Sequence, residues 1–241
     1  MEILKSFLTA NPSVEYFRFQ WVDYSGIAHA KVVPKAYRVE IATNRSQLFL
    51  PQNCLIVTIS AAPECFPASP QRWGLSADWS SLRVCGFKPN HATVMCFVTQ
   101  IVLQSGTAFE KCPRTALKRV LEGFVSRYEI LVGYEIELVL LDKNLNLAQS
   151  LDHITGFASM AGFRGERLLL MEEICNALQK SGIRVHDFHT EVPDQFEIVL
   201  CPVSLTEAID SLMLAQETTH TVAITYGVKA SMAPRPVFKG P

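Results

Sequence analysis

The sequence lacks any long hydrophobic run and any excess of charge. Nowhere do about 18 uninterrupted apolar residues occur, the length that a membrane-spanning helix needs, and the apolar stretch near Met1 is too short for a signal peptide. The 22 basic and 23 acidic residues give a formal net charge of −1, without a basic run. We therefore expect a cytoplasmic protein that binds neither membranes nor nucleic acid.

The cysteines do not form the close-set pairs that bind zinc. Their number is odd, whereas a disulfide framework uses an even number of cysteines. The seven are Cys54, Cys65, Cys85, Cys96, Cys112, Cys175 and Cys201. This pattern favours a reducing compartment. Cys112 stands before Pro113 without a nucleophile signature around it, so we expect it to be a small buried residue.

The familiar signatures of nucleotide-binding and hydrolytic enzymes are also missing. The sequence contains no G-x-x-x-x-G-K-[ST] phosphate loop, no G-x-G-x-x-G fingerprint, no G-x-S-x-G elbow and no HExxH helix. Any catalytic chemistry must therefore rest on a different set of residues.

A hydrophobic content of 49 % over 241 residues is ample for a packed core, and the first part of the sequence has a β pattern. Residues 14–34 alternate around Asp23-Tyr24-Ser25-Gly26, which predicts a hairpin. Further strands are predicted near Leu82–Phe87 and Thr93–Thr99. The stretch from Leu50 to Pro70 carries four prolines and predicts an irregular loop.

The hydrophobic period then changes from that of strands to that of helices. Apolar residues recur at helical spacing after Pro113, and a second helix is predicted to end at Gly182, before a strand over 183–189. HTEVPDQFEIVL predicts two strands, and the S-L-T-E capping box at Ser204 predicts a helix to about Gly227. The fold class is α+β, with a β-rich domain over 1–108 and a mixed α/β domain over 109–241.

The stretch GYEIELVLLD, residues 133–142, places Glu135 and Glu137 two apart in an otherwise apolar strand. Successive side chains of a strand alternate between faces, so the two carboxylates share one face, about 6–7 Å apart. The wet face of an antiparallel sheet is the commoner explanation for such a pair.

A second group of ionisable side chains favours a binding site over a merely solvent-exposed face of the sheet. Asp187, His189 and Glu191 alternate on one face of their strand, and Glu197 follows on the next strand. Hard divalent cations need several oxygen ligands, and converging carboxylates would repel one another without a cation. Both pairs of glutamates together therefore predict a metal site if the strands converge. His186 and His189 are weaker candidates, because single strand histidines are more often surface or hydrogen-bonded residues.

These motifs, in this order, resemble the glutamine synthetase family, in particular its type I and fungal glutamine-synthetase-like branch. VDYSGIAHAKVVP is similar to the family's Asp-x-x-Gly hairpin, CPRTALKRVL to its Pro-Arg helix, and GYEIELVLLD to its Gly-x-Glu-x-Glu-Phe strand. HTEVPDQFEIVL is similar to His-x-Glu followed by Gly-Gln-x-Glu. YGVKASMAPRPVFKGP is similar to the family's Gly-(Leu/Val)-x-Ala-(Thr/Ser)-Phe-Met-Pro-Lys-Pro segment.

The resemblance implies a β-grasp domain over 1–108 and an incomplete glutamine-synthetase-type catalytic domain over 109–241. It implies Glu135 as a ligand of a nucleotide-side metal, and it places Glu137, Glu191 and Glu197 on a substrate-side metal, with Glu191 also the candidate catalytic residue. The ions would be Mg²⁺ or Mn²⁺. The substrates would be ATP, glutamate, and ammonia or another amine, with the γ-carboxylate phosphorylated before the amine displaces phosphate. Family members form rings, so we expect a homo-oligomer or a hetero-oligomer with a full-length relative.

Three departures from the family pattern bear on these expectations. The spacing from Glu191 to Glu197 is one residue shorter, and on a strand a one-residue shift moves a side chain to the opposite face. The family's Asp-Gly-Ser-Ser segment has no clear match, and Asp78 fits a later family aspartate only loosely. The sequence stops at Pro241, before the family's Gly-Ser-Gly-x-His loop, its arginines and its last metal-binding glutamate, so we expect an impaired nucleotide-side site.

Four interpretations stay open: an ATP-dependent carbon–nitrogen ligase by descent, a non-catalytic interaction or regulatory protein, a stand-alone metal hydrolase that uses Asp187, His189 and Glu191, and an incomplete sequence. The short length also predicts that Phe196 and Ile198 lack cover on their sheet, which would promote aggregation.

Overall fold

A computed structural model describes residues 2–43, 45–51, 54–56, 72–102, 105–124, 128–148, 156–192, 194–234 and 236. The chain divides into two compact units, one of Met1–Val84 and Pro89–Glu129 and one of Cys85–Lys88 and Ile130–Pro241. The boundary between residues 108 and 109 stays a prediction. No helix in the described part of the chain is long and apolar enough to cross a membrane. Most of the predicted loop from Leu50 to Pro70 lies outside the described residues.

The described residues of the first unit form one curled sheet and three α-helices. Among its described residues, the strands are β1 (Tyr16–Val22), β2 (Ala28–Pro34), β3 (Leu48–Leu50), β4 (Arg72–Ala77), β5 (Arg83–Val84), β6 (His91–Val102) and β7 (Ser105–Ala108). The helices are α1 (Glu2–Ala10), α2 (Arg38–Ala42) and α3 (Pro113–Phe124). The order is β2-β1-β6-β4-β3, with β5 and β7 also pairing with β6. Lys31 of β2 donates a hydrogen bond to the Phe49 carbonyl of β3, so the outer strands approach each other.

The predicted hairpin is confirmed as the antiparallel pair of β1 and β2, and its turn is organised by a buried aspartate. The Asp23 carboxylate accepts hydrogen bonds from the Ser25 and Ile27 backbone N–H groups and lies 3.0 Å from Nε2 of His29. Burial acts to raise the pKa of Asp23, but the hydrogen bonds from His29, Ile27 and Ser25 outweigh it and lower that pKa. Gly26 supplies the positive φ, +78°, that the turn requires.

The helix predicted after Pro113 is confirmed as α3, and the residue before it is the small buried one expected. Cys112 is 2 % exposed, and its Sγ accepts a hydrogen bond of 3.3 Å from the Val98 backbone N–H. Two residues on, Nε and Nη2 of Arg114 both donate to Oδ2 of Asp78, at 3.2 and 2.7 Å. Asp78 also caps the short 3-10 helix Trp79–Ser81 through the Ser80 N–H. The pair therefore joins two parts of the unit that are distant in sequence.

Replacing Arg114 with Met is expected to destabilise the protein by about 2 kcal/mol, because it leaves the largely buried Asp78 carboxylate without its cation. Burial acts to raise the pKa of Asp78, but hydrogen bonds from Ser80 and Arg114 and the Arg114 charge lower it. The pair therefore contributes its full stability above about pH 4, the ordinary Asp value, and loses it as pH falls through the lowered pKa. Urea unfolding from pH 7 to pH 2.5 measures both effects.

Lys118→Met is the matched control for that substitution. Lys118 is exposed one turn further along α3, and its Nζ lies over the same Phe97 ring as the Arg114 guanidinium, at 5.8 and 5.5 Å. We expect a change below about 0.5 kcal/mol from this surface variant. If both variants lose the same free energy of unfolding, the ion pair of Arg114 with Asp78 contributes little to stability.

The second unit packs two helices on one face of a small sheet. Its described strands are β8 (Leu131–Val132), β9 (Glu135–Leu141), β10 (Val185–Thr190), β11 (Gln195–Leu200), β12 (Val203–Ser204) and β13 (Lys229–Ser231), and its helices are α4 (Glu166–Lys180) and α5 (Leu205–Thr225). An antiparallel sheet has the order β10-β11-β9-β13, and β12 pairs separately with β8. The segment Cys85–Lys88 also belongs to this unit.

The prediction that Phe196 and Ile198 lack cover is wrong. They are 3 % and 0 % exposed and share one core with Leu170, Met171 and Leu214 of the two helices. Their face of β11 is covered by helices from residues 166–225, so the cover comes from within the described chain. The opposite face of β11 and β9 is the one that carries carboxylates.

The other predicted elements of this unit are confirmed, with one correction. Helix α4 ends before Gly182, whose φ is +76°, and HTEVPDQFEIVL forms the successive strands β10 and β11. Helix α5 begins at Leu205 as predicted, but the Ser204 side chain makes no capping hydrogen bond. Ser204 is the last residue of β12, so its backbone is set by strand pairing with β8.

Candidate metal centre

The strand register aligns three chemistry-bearing residues across the sheet of the second unit. Glu197 of the middle strand β11 lies opposite Glu137 of β9 on one side and opposite His189 of β10 on the other. Residues directly opposite one another in antiparallel strands project from the same face. Glu135 lies two positions from Glu137, opposite Val199, and therefore shares that face. These four side chains therefore project from one face of the sheet.

Glu191 joins this row from the turn that follows β10. Ligand atoms of His189, Glu191 and Glu197 all lie within 4.8 Å of one another. The His189 ring lies between the two carboxylates, with its Nδ1 3.4 Å from Oε1 of Glu191 and its Nε2 3.7 Å from Oε1 of Glu197. Two carboxylates and an imidazole nitrogen therefore converge on one small volume.

The turn between β10 and β11 explains how Glu197 keeps its face despite the shortened spacing. The Glu191 N–H donates to the Gln195 carbonyl at 3.0 Å, and the Gln195 N–H donates to the Val192 carbonyl at 3.0 Å. Asp194 adopts a φ of +62°, a left-handed conformation that aspartate tolerates better than most residues. A tight turn thus joins the two strands, and Glu197 lies opposite His189.

Glu137 and Glu135 border the cluster and are more exposed than Glu197. The Gln195 side-chain amide donates a hydrogen bond to the Glu137 carboxylate, which ties the first residue of β11 to β9. Both glutamates are exposed in the sheet, whereas Glu197 is 6 % exposed. The cluster therefore has one buried carboxylate and an open, acidic border.

The electrostatics of the cluster favour a positive ion beside Glu197. Burial is the main cause that raises the pKa of Glu197, and the charges of Glu135, Glu191 and Glu137 raise it further, while His189 acts in the opposite direction. A carboxylate surrounded by others in this way is costly to ionise unless a cation neutralises it. The residues present fit a hard divalent cation, which prefers carboxylate oxygens from rigid elements.

The two weaker histidine candidates differ in position. His189 belongs to the cluster, whereas His186 is exposed on the sheet and its Nδ1 contacts Oδ2 of Asp187. Asp187 reaches the edge of the cluster only at 3.8 Å, between its Oδ1 and Nε2 of His189. Alternation along β10 accounts for the difference, because residues 187, 189 and 191 share a face that 186 does not.

The sequence pattern indicates no role for Phe157, which lies against the cluster in the structure. Its ring centroid lies 5.0 Å from that of His189, in an edge-to-face arrangement. Phe157 is 75 % exposed although it is a large apolar residue. Periodicity does not reveal such a contact, because residues 156–159 form a turn and the partner lies 32 residues away.

Comparisons with known proteins agree with this architecture. The family model for the glutamine synthetase catalytic domain matches residues 110–241, more than half of the chain. Protein fluG of Emericella nidulans is 26 % identical over 252 residues, covering 98 % of this chain and 28 % of that protein. A glutamine synthetase of Methanococcus voltae is 28 % identical over 246 residues, covering 99 % of this chain and 53 % of that protein.

A solved structure, a GmaS/ADP complex, has the same mixed α/β fold with a TM-score of 0.82 at 21 % identity, over 97 % of this chain and 52 % of that one. The chain thus spans about half the length, or less, of these relatives. On the match of its residues 110–241, the chain belongs to the glutamine synthetase family.

Proposed function

We propose that the chain supplies the metal-binding face of a glutamine-synthetase-type ligase, which uses ATP to join ammonia or another amine to the γ-carboxylate of glutamate. The convergence of His189, Glu191 and Glu197 within 4.8 Å carries this proposal. Family membership supports it, since ATP-dependent ligation with divalent metals is the chemistry of glutamine synthetases.

The carboxylates take distinct roles in this proposal. Glu137, Glu191 and Glu197 hold the substrate-side Mg²⁺ or Mn²⁺, and Glu135 belongs to the nucleotide side. When bound, the ion supplies the positive charge that phosphoryl transfer to a carboxylate needs. Gln195 orients Glu137 through its amide hydrogen bond, and Glu191, the residue after β10, is the candidate catalytic residue.

The rest of the chain supports this face. We propose that residues 1–108 form the β-grasp domain of the family and that residues 109–241 form part of its catalytic domain. The strand order of the first unit, with the parallel pair of β1 and β6, is compatible with such a domain. By family, the protein is cytoplasmic and oligomeric.

Native preparations test the ligase directly. Phosphate release that depends on glutamate and an amine is measured on the tagged protein isolated from its own cells, with wild type compared with Glu191→Gln. We expect activity in the native preparation and a loss of at least about 100-fold in the variant. Because the chain matches about half of the Methanococcus voltae glutamine synthetase and 28 % of protein fluG, we expect little turnover from residues 1–241 purified alone.

A non-catalytic role is the second candidate. In that case the chain assembles with a full-length relative and regulates it. The same preparations then contain a longer ligase whose activity does not change in Glu191→Gln. A native preparation with neither glutamate-dependent activity nor a partner contradicts both candidates.

A further inference from the structure

The strand that carries His189 and leads to Glu191 lies at the edge of its sheet. Among the described strands β10 pairs with β11 alone, and it ends at Thr190. The Glu191 N–H donates to the Gln195 carbonyl of β11, so the alternation of an antiparallel pair directs the Thr190 carbonyl away from β11, toward the open edge. The end of such an edge strand frays easily unless another segment covers it.

The turn over residues 156–159 covers this end of β10 through Thr190. The Ala158 N–H donates to the Thr190 carbonyl at 2.7 Å, and the Thr190 hydroxyl lies 3.0 and 3.1 Å from the carbonyl oxygens of Gly156 and Ser159, to which it donates. Thr190 is 1 % exposed, so water does not readily replace these hydrogen bonds when they are lost. The backbone and the side chain of one residue thus bind the same turn.

Thr190 reaches the metal cluster through its two neighbours in the chain. Side chains alternate along a strand, so His189 and Glu191 project from the carboxylate face and the Thr190 side chain projects from the opposite face. The Thr190 carbonyl also lies 3.3 Å from Nδ1 of His189. A backbone carbonyl beside one ring nitrogen commonly fixes the orientation of a histidine at a metal site. Anchoring Thr190 therefore fixes the His189 ring and the chain at Glu191 together.

We propose that Thr190 is a positioning residue of the metal centre. Its hydroxyl holds the end of β10 on the turn, and so keeps Glu191 and His189 beside Glu197. This inference rests on the proposed function and deepens it, since it adds a residue that does not itself bind the ion. Valine has nearly the shape of threonine and keeps the backbone hydrogen bonds, so Thr190→Val removes only the two hydroxyl contacts.

Mn²⁺ binding by the full 241-residue chain tests the proposal. We expect Thr190→Val to bind Mn²⁺ about tenfold more weakly than the wild type, as is usual when a partner behind a metal ligand is lost. Thr190→Ser keeps the hydroxyl and should bind within about threefold of the wild type.

Amide hydrogen exchange without metal is the second measurement. The Ala158 and Glu191 N–H groups should exchange at least about tenfold faster in Thr190→Val, because the end of the strand opens more easily. In the wild type the two groups should be protected to within about threefold of each other, because one opening exposes both. This comparison needs no variant, and clearly unequal protection would contradict the anchoring role.

Thr218→Val is the matched control, because it removes another buried threonine hydroxyl of the same unit. Thr218 is 0 % exposed, and its hydroxyl donates to the Leu214 carbonyl within α5 at 2.7 Å. This variant should lose stability as well, but keep its Mn²⁺ affinity within about twofold of the wild type and its exchange at Glu191 unchanged. An equal loss of Mn²⁺ affinity in both variants would overturn the inference, as would wild-type affinity or wild-type exchange at Glu191 in Thr190→Val.

The metal-free measurement separates this inference from the proposed function. If the wild type binds no Mn²⁺, the metal centre itself fails. Hydrogen exchange then still decides whether the Thr190 hydroxyl holds Glu191 in place.

Discussion

Glu197→Gln is expected to stabilise the metal-free protein while removing its affinity for a divalent cation. The pKa of Glu197 is raised, chiefly by burial and then by neighbouring carboxylates, so ionised Glu197 destabilises the native state. The native state binds a proton more readily than the unfolded state, and the wild-type stability therefore falls as pH rises above about 4.3, the ordinary Glu value. Glutamine removes that cost and should add about 1 kcal/mol at neutral pH.

Metal binding should change in the opposite direction. Glutamine offers a neutral oxygen in place of a buried carboxylate, and we expect at least about 100-fold weaker Mn²⁺ binding. Thermal unfolding with and without Mn²⁺ measures both effects, because an ion at ten times its Kd adds about 1.4 kcal/mol to the stability of the protein that binds it.

The exposed Glu172 of α4 provides the control for this substitution in the same unit. Glu172→Gln should change neither the metal-free stability by more than about 0.5 kcal/mol nor the Mn²⁺ response. If Glu197→Gln destabilises the metal-free protein, or if it responds to Mn²⁺ as the wild type does, Glu197 is a structural residue and not a ligand.

Gly86→Ala is expected to destabilise the second unit by more than about 3 kcal/mol. A Cβ at Gly86 would lie 1.9 Å from the Ala177 carbonyl oxygen and 2.8 Å from the Ala177 carbonyl carbon, both backbone atoms that cannot yield easily. The Gly86 N–H donates to Oγ of Ser181 at 2.8 Å, and that hydroxyl donates to the Ala177 carbonyl at 3.0 Å. The substitution therefore displaces the segment Cys85–Lys88 from the end of α4.

Gly123→Ala is the matched substitution with the opposite expected sign. Gly123 lies in helix α3, and a Cβ there meets nothing within 4 Å. Alanine should stabilise the protein by about 0.5–1 kcal/mol, because glycine is the poorer helix former. Chemical denaturation measures the free energy of unfolding of both variants. If that free energy changes by a similar small amount in the two, the close approach of Gly86 to α4 is contradicted.

Local sequence patterns were sufficient for the elements that position the site. The hairpin at Asp23, helix α3 and the consecutive strands β10 and β11 follow from alternation, turn residues and helical spacing. Helix α1 was not predicted, since a short amphipathic helix at a terminus carries little signal. The shared face of Glu135 and Glu137 also followed from the period of a strand.

Long-range geometry decided the rest. The sequence left the face of Glu197 open, because that face depends on the turn in which Asp194 adopts a positive φ. The error at Phe196 arose because cover by α4 and α5 depends on packing, which periodicity does not specify. The ion pair of Arg114 with Asp78 joins residues 36 positions apart, and it too required the fold.

A titration of the 241-residue chain with Mn²⁺, followed by electron paramagnetic resonance at pH 7.5, tests whether Glu137, Glu191 and Glu197 share one divalent cation. We expect one saturable site that Mg²⁺ displaces and that is lost in the Glu137→Gln, Glu191→Gln double variant. Two results would contradict a shared site. One is a signal of free Mn²⁺ that rises in proportion to all the metal added, up to millimolar concentration, and the other is binding that survives in the double variant.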